Sequence, residues 1–158
     1  MTSDSARVGT EEQGLVIERV FEAPRELVWR AWTEPQHFML WYGPKGFTLP
    51  TCEIDFRVGG RFLFGMRSPD GQEYSTTGVF REIVTLERFV HTESMADEQG
   101  NAVPATETTV TVTLEDLGGG KTKLTLQQTG WSDDSMAAGA SAGWNQAFDK
   151  LAATLAEV

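Results

Sequence analysis

The sequence is poor in cysteine, in histidine and in positive charge. Its one cysteine, Cys52, excludes an internal disulfide framework and any cysteine-only zinc cage. The two histidines, His37 and His91, fall in separate elements and make too small a ligand set for a typical metal site, so no metal or other cofactor is expected. Lysine and arginine number 13 against 23 aspartates and glutamates, a formal net charge of −10. Nucleic acid and anionic membrane surfaces both reward basic patches, so neither is expected as a partner. No apolar run approaches the roughly 20 residues needed to cross a bilayer. The polar stretch Met1 to Gln13 lacks the apolar segment of a secretion signal, and a cytoplasmic protein is the expectation.

What is there suffices for one domain with its own core: 158 residues, 40% hydrophobic and 23% charged. Residues 1–14 are rich in Ser, Thr, Glu and Gly without periodicity and read as a disordered amino-terminal tail, with the domain running over 15–158. Leu15 to Phe21 favours a strand. Pro24 suits the first turn of a helix in which Leu27/Val28 and Ala31/Trp32 repeat at helical spacing. Thr33-Glu34-Pro35 ends it, and a second short helix, Gln36 to Trp41, stops at Gly43-Pro44.

From Phe47 the period changes to two. Strands are predicted over Thr51 to Phe56, Arg61 to Arg67, Tyr74 to Val84, Leu86 to Met95, Thr106 to Asp116 and Lys121 to Gln128. Ser68-Pro69-Asp70-Gly71 and Gly118-Gly119-Gly120 mark two of the turns. Ser132 to Val158 is helical, with Ser132 as N-cap and an apolar stripe through Met136, Ala140, Gly143/Trp144, Ala147/Phe148, Leu151 and Leu155. The order is strand, two short helices, about six antiparallel strands and one long helix, an α+β architecture.

Roughly seven strands present one face to be covered, and one long helix must cover it. The lining is expected to include Phe62, Phe64, Met66, Tyr74, Phe80, Phe89, Trp131, Trp144 and Phe148. The first half of the helix, Met136-Ala137-Ala138-Gly139-Ala140-Ser141-Ala142-Gly143, is built from small residues, and each interior glycine costs about 1 kcal/mol relative to alanine. That half is expected to flank a cavity, and the half carrying Trp144, Phe148, Leu151 and Leu155 to be packed core. The candidate ligand-binding residues are Trp41, Phe62, Phe64, Tyr74, Phe80, His91, Trp131, Met136, Ala140, Gly143 and Trp144.

Several motifs fail on context. Gly139-Ala140-Ser141-Ala142-Gly143 spells G-x-S-x-G, but it lies inside a helix and both histidines precede it. Gly120-Lys121-Thr122 lacks the upstream glycine of a phosphate loop, since position 115 is Glu115, and a strand follows it. His91 and Glu93 alternate onto one strand face with Phe89, a pattern that fits a polar spot in a pocket wall, half of a metal site, or a hydrogen-bonded or surface His. Asp55-Phe56-Arg57-Val58-Gly59-Gly60 reads as a structural acid–base pair beside a turn. No catalytic residues are assigned.

Taken together, Phe21-Glu22-Ala23-Pro24-Arg25-Glu26-Leu27-Val28-Trp29-Arg30-Ala31-Trp32-Thr33, Trp41-Tyr42-Gly43-Pro44, Asp55 to Gly60, Asp70-Gly71 with Gly78, and Gly143-Trp144 resemble the family named after the carboxy-terminal domain of the activator of heat shock protein 90 ATPase. That family lies in the START-like (SRPBCC) superfamily. The resemblance spans Leu15 to Val158 and implies a helix-grip fold, a curved antiparallel sheet wrapped around a long carboxy-terminal helix, with a cavity between. It implies binding of a small apolar or aromatic molecule. A cyclase or dehydratase acting on a hydrophobic substrate, with His91, Glu93 and Tyr74 as acid–base candidates, is the enzymatic alternative. A chaperone-ATPase accessory is the third, and a chaperone or a homodimer would then supply a protein partner.

Overall fold

The computed structural model describes residues 6–8, 14–131 and 134–157, without side-chain detail at 6–8 and 134–136. The elements are β1 (Ala6–Val8), β2 (Leu15–Phe21), α1 (Arg25–Thr33), α2 (Pro35–Phe38), β3 (Thr48–Ile54), β4 (Arg61–Arg67), β5 (Glu73–Val84), β6 (Arg88–Met95), β7 (Thr108–Gly118), β8 (Lys121–Thr129) and α3 (Asp134–Ala156), with a 3-10 turn at Pro104–Thr106. The strands form one antiparallel sheet in the order β1-β2-β8-β7-β6-β5-β4-β3. This is the helix-grip arrangement, with α3 on the inner face and α1 and α2 at one end.

Local chemistry explains the elements. In β2, Leu15, Ile17 and Phe21 are buried while Val16 and Glu18 are partly exposed and Val20 is exposed, the period of a sheet with one covered face. Pro24, at φ −66° and ψ 154°, caps α1, which buries Val28, Trp29, Ala31 and Trp32 on one side. Gly118, Gly119 and Gly120 all take positive φ, so the β7–β8 hairpin turn needs residues without a Cβ. Gly78 lets β5 and β6 approach: a Cβ there would collide with the carbonyl oxygen of Thr92 and the ring of Phe62.

Boundaries shift in places. The strand predicted from Leu86 begins at Arg88, because Leu86 adopts φ 70° inside a turn closed by Glu87 N–H donating to Val84 O at 2.8 Å. Its side chain packs against the core, which compensates a conformation that L-residues avoid. The second helix is one turn, Pro35–Phe38, and Trp41 follows it in a turn. The third strand starts earlier, at Thr48, with a register irregularity between Thr48 and Thr51 around Pro50. Ala6–Val8, within the segment read as a tail, pairs with β2 as an edge strand; three residues are too few to show a period. The Ser132 cap falls outside the described residues.

The interior is aromatic. Trp32 of α1 lies with its ring centroid 4.7 Å from Trp41, 5.7 Å from Phe89 and 5.9 Å from Trp144. Phe148, Leu151 and Leu155 on the carboxyl half of α3 are buried with them. At the other end of the sheet the inward rows change character. On β6 the sequence Phe89, His91, Glu93 runs from apolar to acidic, and on β8 Leu124 and Leu126 give way to Gln128. Glu93 pairs in register with Thr108, and Gln128 with Val110 beside it. The polar ends of these rows face the small-residue half of α3.

Candidate functional site

Between the polar end of the sheet and the first half of α3 lies a cleft of two adjoining lobes. One, of about 210 Å³, is bounded by the 42–44 loop, Met66, Trp131 and the α3 residues Gly139, Ala140, Gly143, Trp144 and Ala147. The other, of about 320 Å³, runs along Thr76, Ser94, Met95, Thr106 and Thr108. Both lobes touch Tyr42, Met66, Glu93, Gln128, Trp131 and Ala140, so they lie against each other on the same residues. A Cβ built on Gly139 meets no atom within 4 Å, and one on Gly143 meets only Pro44 Cγ at 3.7 Å. These glycines keep the helix side of the cleft empty.

A chain of hydrogen bonds fixes the floor. Trp144 Nε1–H donates to Gln128 Oε1 at 2.9 Å, and Gln128 Nε2–H donates to Thr108 Oγ1 at 2.9 Å. Glu93 is only partly shielded from solvent, yet the apolar wall around its carboxyl raises it from the ordinary 4.5 to about 7, against the opposing pull of a Gln128 hydrogen bond. Tyr42 is buried, and its phenol is pushed well above its ordinary value, first by burial and then by the charge of Glu93. Trp131 Nε1–H is buried and finds no acceptor among the described residues. The rim is held by Lys150 of α3, whose Nζ donates to the carbonyls of Gly43 and Pro44, each at 3.2 Å, and of Phe47 at 3.3 Å.

The structure divides the sequence candidates. Trp131, Ala140, Gly143 and Trp144 border the cleft. Phe62, Phe64, Phe80 and His91 instead surround a residual void of about 10 Å³ in the aromatic core. The His91 ring lies 4.9 Å from Phe62 and 5.7 Å from Phe80, and its Nδ1 bonds Thr92 O at 2.8 Å. Burial lowers this imidazole to about 4, so it is neutral. Trp41 is wholly buried, with Nε1–H donating to Ala31 O at 2.9 Å, and serves packing. Tyr74 shares a face with Met66 but stands at the start of its strand, 40% exposed and packed on Phe47, outside the cleft. The side chain of Met136 lies outside the described residues. Asp55 and Arg57 form an exposed pair, Nε to Oδ2 2.9 Å, next to Gly60, where a Cβ would collide with Asp55 O.

Sequence reasoning did not place Tyr42 or Gln128 in the site, and took Glu93 only as a polar spot and an acid–base candidate. Gln128 had a signal: it continues the inward row of Leu124 and Leu126, where a polar residue needs a reason. Tyr42 had none beyond its motif, since its position depends on how the loop after α2 folds over the cleft.

A curled antiparallel sheet gripping one long helix over a partly open cleft defines a START-like protein. The chain belongs to the family of activator of Hsp90 ATPase homologue 1-like proteins, whose model matches residues 22–156. Solved structures agree. A protein from Arthrobacter aurescens is 27% identical with a TM-score of 0.84, over 99% of this chain and 94% of that one. A protein from Chromobacterium violaceum is 29% identical with a TM-score of 0.76, over 90% and 96%. The AHSA1 protein from Silicibacter pomeroyi is 25% identical with a TM-score of 0.79, over 90% and 97%. No curated protein matches the chain.

Proposed function

We propose that the protein binds a small apolar or aromatic molecule in the cleft between the sheet and the amino half of α3. The observation that carries this is the unfilled space beside Gly139 and Gly143, walled by Tyr42, Met66, Trp131 and Trp144. Aromatic walls with few, placed polar groups are the usual make-up of such sites. A ligand losing about 300 Å² of apolar surface gains about 7 kcal/mol gross. Immobilisation cancels part of that, which leaves micromolar affinity as the expectation. The family's general character as a small-molecule-binding fold supports the same reading.

The test is uptake of a hydrophobic fluorescent probe by the wild type and by Gly143→Leu. The leucine projects toward Pro44 and the cleft, so uptake should be lost while the circular dichroism spectrum and melting temperature stay close to wild type. Unchanged uptake in a folded variant refutes this site. Native mass spectrometry of the purified protein would show a retained compound directly.

A further inference from the structure

The cleft's polar groups say what its occupant carries, on the reading that it binds a small molecule. Two of them reach both lobes and have spare hydrogen-bonding capacity. Among the described residues Trp131 Nε1–H is a buried donor with no acceptor, a condition shared with Trp32 Nε1 and Arg25 Nε, but of the three only Trp131 lines the cleft, where a bound partner would relieve it. Glu93 offers a carboxyl in the same space; it takes a hydrogen bond from Gln128, and a carboxyl has capacity beyond that one bond. The neighbouring polar groups are engaged elsewhere: Trp144 Nε1–H is used by Gln128, Gln128 Nε2–H by Thr108, and the ammonium of Lys150 by the 43–47 loop.

Charge narrows the choice. Among the described residues, no Lys or Arg lines either lobe. Of the other titratable groups, Tyr42 from the loop after α2 lines the cleft with Glu93, and His91 from Glu93's own strand shares the adjoining void; burial keeps both uncharged near neutrality. Cys52 on β3, which acts on Tyr42, is likewise a neutral thiol, held at about 11. A carboxylate ligand would therefore find no counter-charge. An ammonium ligand would suit an ionised Glu93 but would leave the indole donor of Trp131 without a partner. An uncharged carbonyl oxygen suits both: it has two lone pairs, one for the indole N–H and one for the O–H of a protonated carboxyl.

We propose that the cleft takes an apolar, predominantly aromatic compound bearing one uncharged carbonyl oxygen, held by Trp131 Nε1–H and the Glu93 carboxyl. Protonated Glu93 donates, so binding is linked to its titration and weakens as the carboxyl ionises.

Equilibrium dialysis against three matched probes tests this: acetylnaphthalene, its hydrocarbon analogue isopropenylnaphthalene, and the amine naphthylethylamine. Near pH 5 the ketone should bind about tenfold more tightly than the hydrocarbon, as expected when a buried donor is satisfied by one and stranded by the other. By about pH 9 that preference should shrink for the wild type but persist in Glu93→Gln, whose amide still donates and does not titrate. Trp131→Phe, which keeps an aromatic wall without the N–H, should bring the ketone down toward the hydrocarbon. Equal affinities for ketone and hydrocarbon in the wild type, or a preference for the amine, overturn the inference and leave the binding cleft intact. Binding of none of the three overturns both readings.

Discussion

Trp144 of α3 and Gln128 of β8 are joined by a single buried hydrogen bond, Nε1–H to Oε1 at 2.9 Å, that ties the helix to the sheet at the floor of the cleft. Trp144→Phe keeps most of the ring but leaves the Gln128 oxygen buried without a donor. A destabilisation of about 1–3 kcal/mol is expected, read from the midpoint of urea unfolding. A smaller loss in Trp144→Phe paired with Gln128→Leu would show that the cost lies in the stranded oxygen.

His91 makes the fold acid-sensitive. Its folded value of about 4 lies below the ordinary 6.5. As pH falls from about 6.5 toward 4 the unfolded chain takes up a proton that the folded chain refuses, so stability drops by roughly 3 kcal/mol over that window. His91→Asn, which can still donate to Thr92 O, should flatten the acid limb of a stability–pH curve measured by chemical denaturation.

Glu93 acts in the opposite sense. Its folded value near 7 lies above the ordinary 4.5, so the folded state holds a proton that the unfolded state has released. The stability this gives is present below about pH 4.5 and is lost as pH rises through 7. Glu93→Gln should therefore gain on the wild type with rising pH, with the largest difference above neutrality in thermal melts.

Gly139 faces open space and takes no positive φ, so it is not required by the backbone. Gly139→Ala should raise stability by up to about 1 kcal/mol through helix propensity alone. Probe binding in that variant should change far less than in Gly143→Leu, because one methyl group takes little of the cleft.

Cys52, a free thiol, should be slow to react. Burial pushes it up to about 11, so near pH 8 only about one molecule in a thousand carries the thiolate. Reaction with a disulfide reagent should run far slower than for a free thiol in peptide, and should accelerate on unfolding.

Most of the fold was legible because its signals are periodic. Alternation through Phe62, Phe64 and Met66 and the stripe through Ala140, Phe148 and Leu155 each specify a buried face. Ala6–Val8 carries too short a pattern, and Leu86 looks like strand because its side chain is apolar while its backbone turns. The cleft was legible only in part. Periodicity says which face a residue is on, and not how far along that face the helix reaches. Phe62, Phe80 and His91 are on the inner face but sit where the aromatic core closes, and Tyr74 is on it but beyond cover. Glu93 and Gln128 lie between those extremes. Trp41, read as a wall, is anchored away from the cleft by its bond to Ala31 O, which no spacing rule foretells.

Pro50 lies in β3, an outermost strand of the open sheet, where the pairing with β4 is already irregular between Thr48 and Thr51. Proline has no amide hydrogen to offer, and the irregularity spoils the even spacing that an incoming strand would need. An open sheet with a free edge thus carries its own guard against being extended by a neighbouring molecule. Replacing this residue would remove a safeguard against aggregation rather than a contact within the fold.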